Sequence, residues 1–260
     1  MENLKQLIIC GGGYSIKDGI QLGLWDKLQN KFTIGINFSF KWFNSTAIVF
    51  IDNVCFYNRY LKDLTSIPLI IGLQKGNIKQ VISNTIFVDK SIAQDSNMAG
   101  ILAMHIGVKL LKEGELFLLG IDSGIYPVEA TDNRCKLKVD NKFYLAQNVT
   151  NKSLSYCEGN AIQQDNKRLL VYTHFYQSEF THKGTGKYKF YYDAKKVEEW
   201  YKPFKEQTKI KIYNVCDNPL MATPFPKISY SALFSMLDNN QYDQNQLREY
   251  VKNELEPIRR

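Results

Sequence analysis

Four apolar residues running straight into three glycines, Leu7-Ile8-Ile9-Cys10-Gly11-Gly12-Gly13, constrain this chain more than any other feature. An apolar run without polar alternation is what a central parallel strand, covered on both faces, requires. The glycines let the backbone take positive φ and let a ligand approach the main chain closely. Ser15 suits a helix N-cap, with Asp18 three residues on in the place of the usual Glu. A helix start beside such a turn offers free amides to an anion, most often a phosphate, so a nucleotide site is expected at the end of the first strand. A tight strand–helix corner without ligand is the plainer alternative. Ile16 stands where the dinucleotide fingerprint needs its third glycine, and no Gly-Lys-Ser/Thr occurs, so neither NAD nor Walker-type ATP binding is indicated.

The 260 residues suffice for one large α/β domain, and no internal repeat or linker divides them. A net charge of +7 favours an anionic partner, but the charge is dispersed and forms no nucleic-acid arm. The five cysteines, Cys10, Cys55, Cys135, Cys157 and Cys216, show no CxxC and no zinc spacing, and read as free thiols of a reducing compartment. No signal peptide or membrane span is visible, which fits a cytoplasmic protein, at most peripheral to a membrane. With 16 Tyr and 15 Phe, aromatic surfaces suited to bases or sugars are available.

Further apolar runs recur at Phe32 to Phe38, Ala47 to Ile51, Pro68 to Leu73, Thr85 to Asp89, Leu116 to Gly120 and Ile210 to Val215. Each ends in small or polar residues. In open α/β sheets the ligand sits outside the carboxyl ends of the strands, which places Asn37, Asp52, Asp122 and Ser123 on the rim of the Gly11–Gly13 turn. Asn and Asp are also common loop formers, so these positions can equally be turn caps. Gln21 to Gln29 reads as a short helix or 3₁₀ segment. The clearest helix opens at Ser96-Asn97-Met98-Ala99-Gly100, with Ser96 or Asn97 as its cap, and runs to about Lys112. His105 lies inside it and reads as packed rather than ligating. From Tyr126 to Tyr192 the pattern weakens into a lid-like insertion that carries His174 and His182. Asp193 caps a helix reaching about Glu206, Phe225 to Ile228 is a connector, and two helices, Tyr230 to Leu237 and Gln244 to Leu255, close the chain.

A phosphate-cradling turn, polar rim residues and a histidine-bearing insertion suit group transfer from an activated nucleotide to a hydroxyl. Such a reaction needs a base, for which histidine fits near neutral pH, and donors for the leaving phosphate. Tyr126, just past the Leu116 to Gly120 strand, can supply one. No Asp-x-Asp occurs to hold a metal-bound nucleotide sugar.

At this point the chain resembles a family, the bacterial lipooligosaccharide sialyltransferases. Ile8-Ile9-Cys10-Gly11-Gly12-Gly13-Tyr14-Ser15-Ile16-Lys17 looks like their I-I-A-G-N-G-P-S-L-K opening. Asn37 matches their C-N segment, and Asp52 falls where they carry the Asn of F-Y-N-P. Ser96 to Asp122 is similar to their T-S-G helix followed by L-S-G-I-D, and Lys209 to Leu220 to their Y-K-I-K-L-Y-C-L-C-P-N-S-L. The same Rossmann-like superfamily includes archaeal hydroxymethylpterin diphosphokinases and phage proteins. The resemblance implies a single Rossmann-like transferase domain over 1–260, with a mostly parallel sheet flanked by helices and a lid at 126–192. It implies a metal-independent glycosyltransferase that uses CMP-sialic acid and a glycan or other hydroxyl acceptor, with no resident cofactor. Gly11, Gly13, Ser15, Asn37, Asp52, Ser96 and Gly100 would line the CMP site. A histidine before the Asp193 helix would be the base, His182 being nearer that helix and His174 the alternative, and Tyr126 would assist the departing phosphate. Gly12 replaces the family's Asn and Asp52 its second Asn, and both change hydrogen bonding to the nucleotide. A Mg-ATP-dependent diphosphokinase using Asp52 and Asp122, and a non-catalytic nucleotide- or nucleic-acid-binding module, are the rival expectations. A homo-oligomer is compatible with each.

Overall fold

The computed structural model describes residues 4–13, 15–73, 77–93, 98–121, 155–157, 161–164, 167–170, 194–217 and 225–258. The strands β1 (Gln6–Cys10), β2 (Thr33–Ile36), β3 (Ala47–Phe50), β4 (Ile70–Leu73), β5 (Thr85–Val88) and β6 (Gly114–Leu119) follow the apolar runs. After them come β7 (Ser155–Cys157), β8 (Ala161–Gln164), β9 (Lys167–Leu170), β10 (Ile210–Val215) and β11 (Lys227–Ile228). Eight of these form one sheet in the order β11-β10-β6-β1-β2-β3-β4-β5. Every pairing in it is parallel, so the α/β, Rossmann-like architecture is established. β7 to β9, inside the expected lid, make a separate antiparallel sheet.

A parallel sheet needs cover on both faces, and residue alternation supplies two cores. On one face Leu7, Ile9, Ile34, Ile36, Val49 and Leu118 pack beneath α4 (Ala99–Leu111), α5 (Ala194–Glu206) and α7 (Gln244–Leu255). On the other, Ile8, Cys10, Phe117 and Leu119 lie beneath α1 (Ile16–Gln21), α2 (Leu24–Lys27) and α6 (Tyr230–Met236). Beside that second cluster, Phe50, Ile70 and Phe87 pack under a π turn (Asn53–Tyr57) and α3 (Leu61–Leu64). His105 packs as expected, its ring 4.5 Å from that of Phe204 on α5.

The segment Gln21 to Gln29 holds the expected short helix, α2, set apart from the end of α1 by Gly23 at φ +78°. Two local expectations are corrected. The strand begun at Phe32 stops at Ile36, where Asn37 turns into the left-handed region at φ +49° and a 3₁₀ turn (Asn37–Lys41) begins. Lys227–Ile228 is not a connector but an edge strand on β10, too short to show any periodicity. Among the described residues no helix is long and apolar enough to cross a membrane.

Candidate functional site

The strand order reverses at β1. From β1 the chain steps outward through β2, β3, β4 and β5, then returns along α4 to β6 on the opposite side. Adjacent loops there diverge, and the crevice outside the carboxyl ends of β1 and β6 is where an open α/β sheet takes its ligand.

Two interlocked turns form its floor. The amide of Gly11 donates to the Leu119 carbonyl at 2.7 Å, and that of Gly13 to the Gly120 carbonyl at 2.7 Å. Glycine is required on both sides. A methyl group on Gly11 would collide with the Gly120 carbonyl oxygen, and Gly120 sits at φ +59°. This corrects the expected phosphate grip, because the Gly11 and Gly13 amides are committed to the β6 exit. Of the three glycines, only Gly12 keeps its amide without a hydrogen bond among the described residues.

The helix start at Ser15 also departs from expectation. Ser15 is buried and holds helical dihedrals, φ −57° and ψ −24°, and its side chain makes no capping bond. The Ser15/Asp18 box is therefore not formed, and α1 is only 6 residues long. The longer helix start beside the crevice is that of α4. Its N-cap is Met98, not Ser96 or Asn97, with extended dihedrals, no side-chain cap among the described residues and no acid in the first turn. The first amides of a helix have no intrahelical acceptor and carry the positive end of its dipole. A methyl group on Gly100 would lie 3.8 Å from Ile121 and 3.9 Å from Ile36. The start of α4 thus overhangs the ends of β2 and β6.

Asn37 follows β2, the immediate neighbour of β1, and stands on this rim. It is half-buried, and its side chain makes no hydrogen bond among the described residues. Asp52 follows β3, one strand further out, and is exposed. Its Oδ1 accepts from the Val54 amide at 3.0 Å, closing the start of the π turn, so it acts at least in part as a turn cap. Cys10, directly beneath the glycine turn, is fully buried, and burial pushes its thiol up to about 12. It stays protonated and is no nucleophile.

Sequence reading missed Asn214. This β10 residue is buried, donates from Nδ2 to the Ile121 carbonyl at 3.3 Å and accepts from the Phe225 amide at 3.2 Å. It ties the β6 exit to the β10–β11 loop. The signal available was an Asn where the alternation of Ile210 and Ile212 calls for an apolar residue. Ser96, Asn97, Asp122, Ser123, Tyr126, His174 and His182 lie outside the described residues. Among the described residues, no group of three or more His, Cys, Asp or Glu side chains gathers to hold a metal ion. Comparison of the chain with protein-family models, with curated proteins and with solved structures finds no match.

Proposed function

We propose that this chain is a group-transfer enzyme whose nucleotide-activated donor lies across the β1–β6 crevice, its phosphate toward the start of α4 and the Gly12 amide. One observation carries the reading. At the single reversal of the strand order, a helix of 13 residues begins without a side-chain cap among the described residues, over a glycine turn and beside Ile36 and Ile121. Oriented backbone donors of this kind stabilise a phosphate both bound and departing.

The resemblance of the sequence gives the proposal its specific form, a sialyltransferase-like glycosyltransferase. The donor is a CMP-linked sugar and the acceptor a hydroxyl of a glycan. His182, or His174, takes the acceptor's proton as its oxygen attacks the anomeric carbon. The bond from that carbon to the phosphate oxygen breaks, and the nucleotide leaves with the electron pair. Tyr126 and the crevice amides meet the new charge, so no metal is required. Asn37 is placed to hold the nucleoside. The diphosphokinase alternative rests on Asp52 and Asp122 as magnesium ligands and has less support, since the Asp52 carboxylate already caps Val54.

Turnover of CMP-sugars, with and without EDTA, tests the proposal. Transfer or donor hydrolysis that survives EDTA is expected. Strict metal dependence, or phosphorylation from Mg-ATP, would favour the diphosphokinase. Failure of every nucleotide to raise the melting temperature would remove both.

A further inference from the structure

Beyond Asn37 the carboxyl rim of the sheet turns aromatic and basic. The 3₁₀ turn after β2 carries Phe38, Phe40 and Lys41, and the π turn after β3 leads into Arg59 and Tyr60. The rings pack edge to face, Phe38 against Tyr60 at 4.8 Å and against Phe56 at 5.2 Å. Phe56 is buried, whereas Phe38, Phe40 and Tyr60 are half-buried. Two cations lie against these rings. Lys41 Nζ stands 5.5 Å from the Tyr60 centroid and 5.9 Å from that of Phe40, and the Arg59 guanidinium stands 5.7 Å from Tyr60. Lys41 also reaches Asp63 Oδ2 at 3.9 Å. Arg59 is exposed and makes no ion pair or hydrogen bond among the described residues. The backbone under the patch is well tied. The Tyr60 amide donates to the Phe56 carbonyl at 3.0 Å, and Asn58 bonds the loop after β4 through the Asn77 carbonyl at 2.5 Å and the Lys79 amide at 2.9 Å. These segments carry Lys41, Arg59, Lys62 and Lys79 against Asp52 and Asp63, so their charge is positive.

We infer that Phe40, Lys41, Arg59 and Tyr60 form a subsite for an acidic sugar, a carboxylated residue of the acceptor. As an acceptor site it rests on the transferase reading, since the patch continues the rim from Asn37 outward, away from the β1–β6 crevice that takes the donor phosphate. A half-buried aromatic surface packs against the apolar C–H face of a sugar ring. A guanidinium held beside an aromatic ring presents its planar fork to a carboxylate, which it grips with two parallel hydrogen bonds. Arg59 has that fork to offer, and Lys41 adds a second positive charge on the other ring. A nucleic-acid strand fits less well, because it needs a basic groove along several nucleotides, and the net charge of +7 is dispersed along the chain.

Titration of the full chain with two matched pairs, cellobiouronic acid against cellobiose and sialyllactose against lactose, tests it, with CMP titrated in parallel. The unsubstituted protein is compared with Arg59→Gln and Lys41→Gln, both surface changes, and backbone amide resonances are followed. At least one acid should bind more tightly than its neutral counterpart, with shifts centred on Phe40, Arg59 and Tyr60. Arg59→Gln should weaken that binding about tenfold or more and leave CMP affinity unchanged. Acid binding at Arg59 in a protein that takes up no nucleotide would uphold the acidic-sugar subsite and remove the transferase reading instead. CMP binding with neither acid preferred, or with the preference intact in both variants, would overturn the inference. Tighter binding of a single-stranded DNA oligonucleotide at the same residues would overturn it too, in favour of a nucleic-acid surface.

Discussion

The Gly13 amide donates to the Gly120 carbonyl at 2.7 Å, which fastens the turn after β1 to the turn after β6 at the point where the sheet reverses its order. The mouth of the candidate site is therefore one unit made from two distant segments. Gly120→Ala puts a side chain at φ +59°, with its Cβ 3.0 Å from the Gly11 carbonyl oxygen. A left-handed alanine costs about 1–2 kcal/mol. Urea unfolding should show at least that loss, and nucleotide affinity should fall further, because the crevice floor moves.

Asn37 allows backbone and side-chain roles to be separated. Asn37→Gly keeps the φ of +49° without strain and should leave stability within about 0.5 kcal/mol while weakening nucleotide binding. Asn37→Val should destabilise by about 1–2 kcal/mol, since a β-branched residue is strained there. Equal loss of stability in both variants would show that the amide group holds the turn rather than a ligand.

His105 gives the stability a pH dependence of known sign. Burial against α5 lowers its pKa from 6.5 to about 4, and its Nε2 is buried without a partner among the described residues. The unfolded chain thus takes up a proton first as pH falls. Stability is complete above pH 6.5 and declines between there and about pH 4. Denaturation midpoints at several pH values should show this decline, and His105→Leu should flatten it relative to the unsubstituted protein.

Lys31 anchors the C-terminal segment from below the sheet. Its ammonium is buried and donates to the carbonyls of Asp238 and Asn240 at 2.5 and 2.7 Å, with Asp238 Oδ1 at 3.4 Å. Lys31→Met leaves those acceptors unmet. Calorimetry should show a loss of about 2–3 kcal/mol, with nucleotide binding little changed because these groups lie at the opposite end of β2.

The sheet was legible in the sequence because parallel strands buried on both faces must be apolar throughout, and Leu7 to Cys10, Ala47 to Phe50 and Leu116 to Leu119 are. The rim position Asn37 followed from where its run ended, while Gly100 came only from the family resemblance. What local pattern could not show was the partner of each group. Nothing near Gly11 reveals that its amide is bonded to Leu119, and nothing near Ser96 reveals that Met98 takes the N-cap position of α4. Asn214 acts through Ile121 and Phe225, which only the folded sheet brings to it. The two-residue strand at Lys227 exists only because β10 offers an open edge.

The central claim is that the crevice between β1 and β6 binds the phosphate of a nucleotide. Titrating isotope-labelled protein with CMP, and in parallel with UDP, GDP and ATP, while following backbone amide resonances, tests it most directly. The account predicts saturable shifts centred on Gly12, Ala99 and Gly100, with Asn37 following for the preferred nucleotide. Shifts confined to other parts of the surface, or none with any nucleotide, would contradict it.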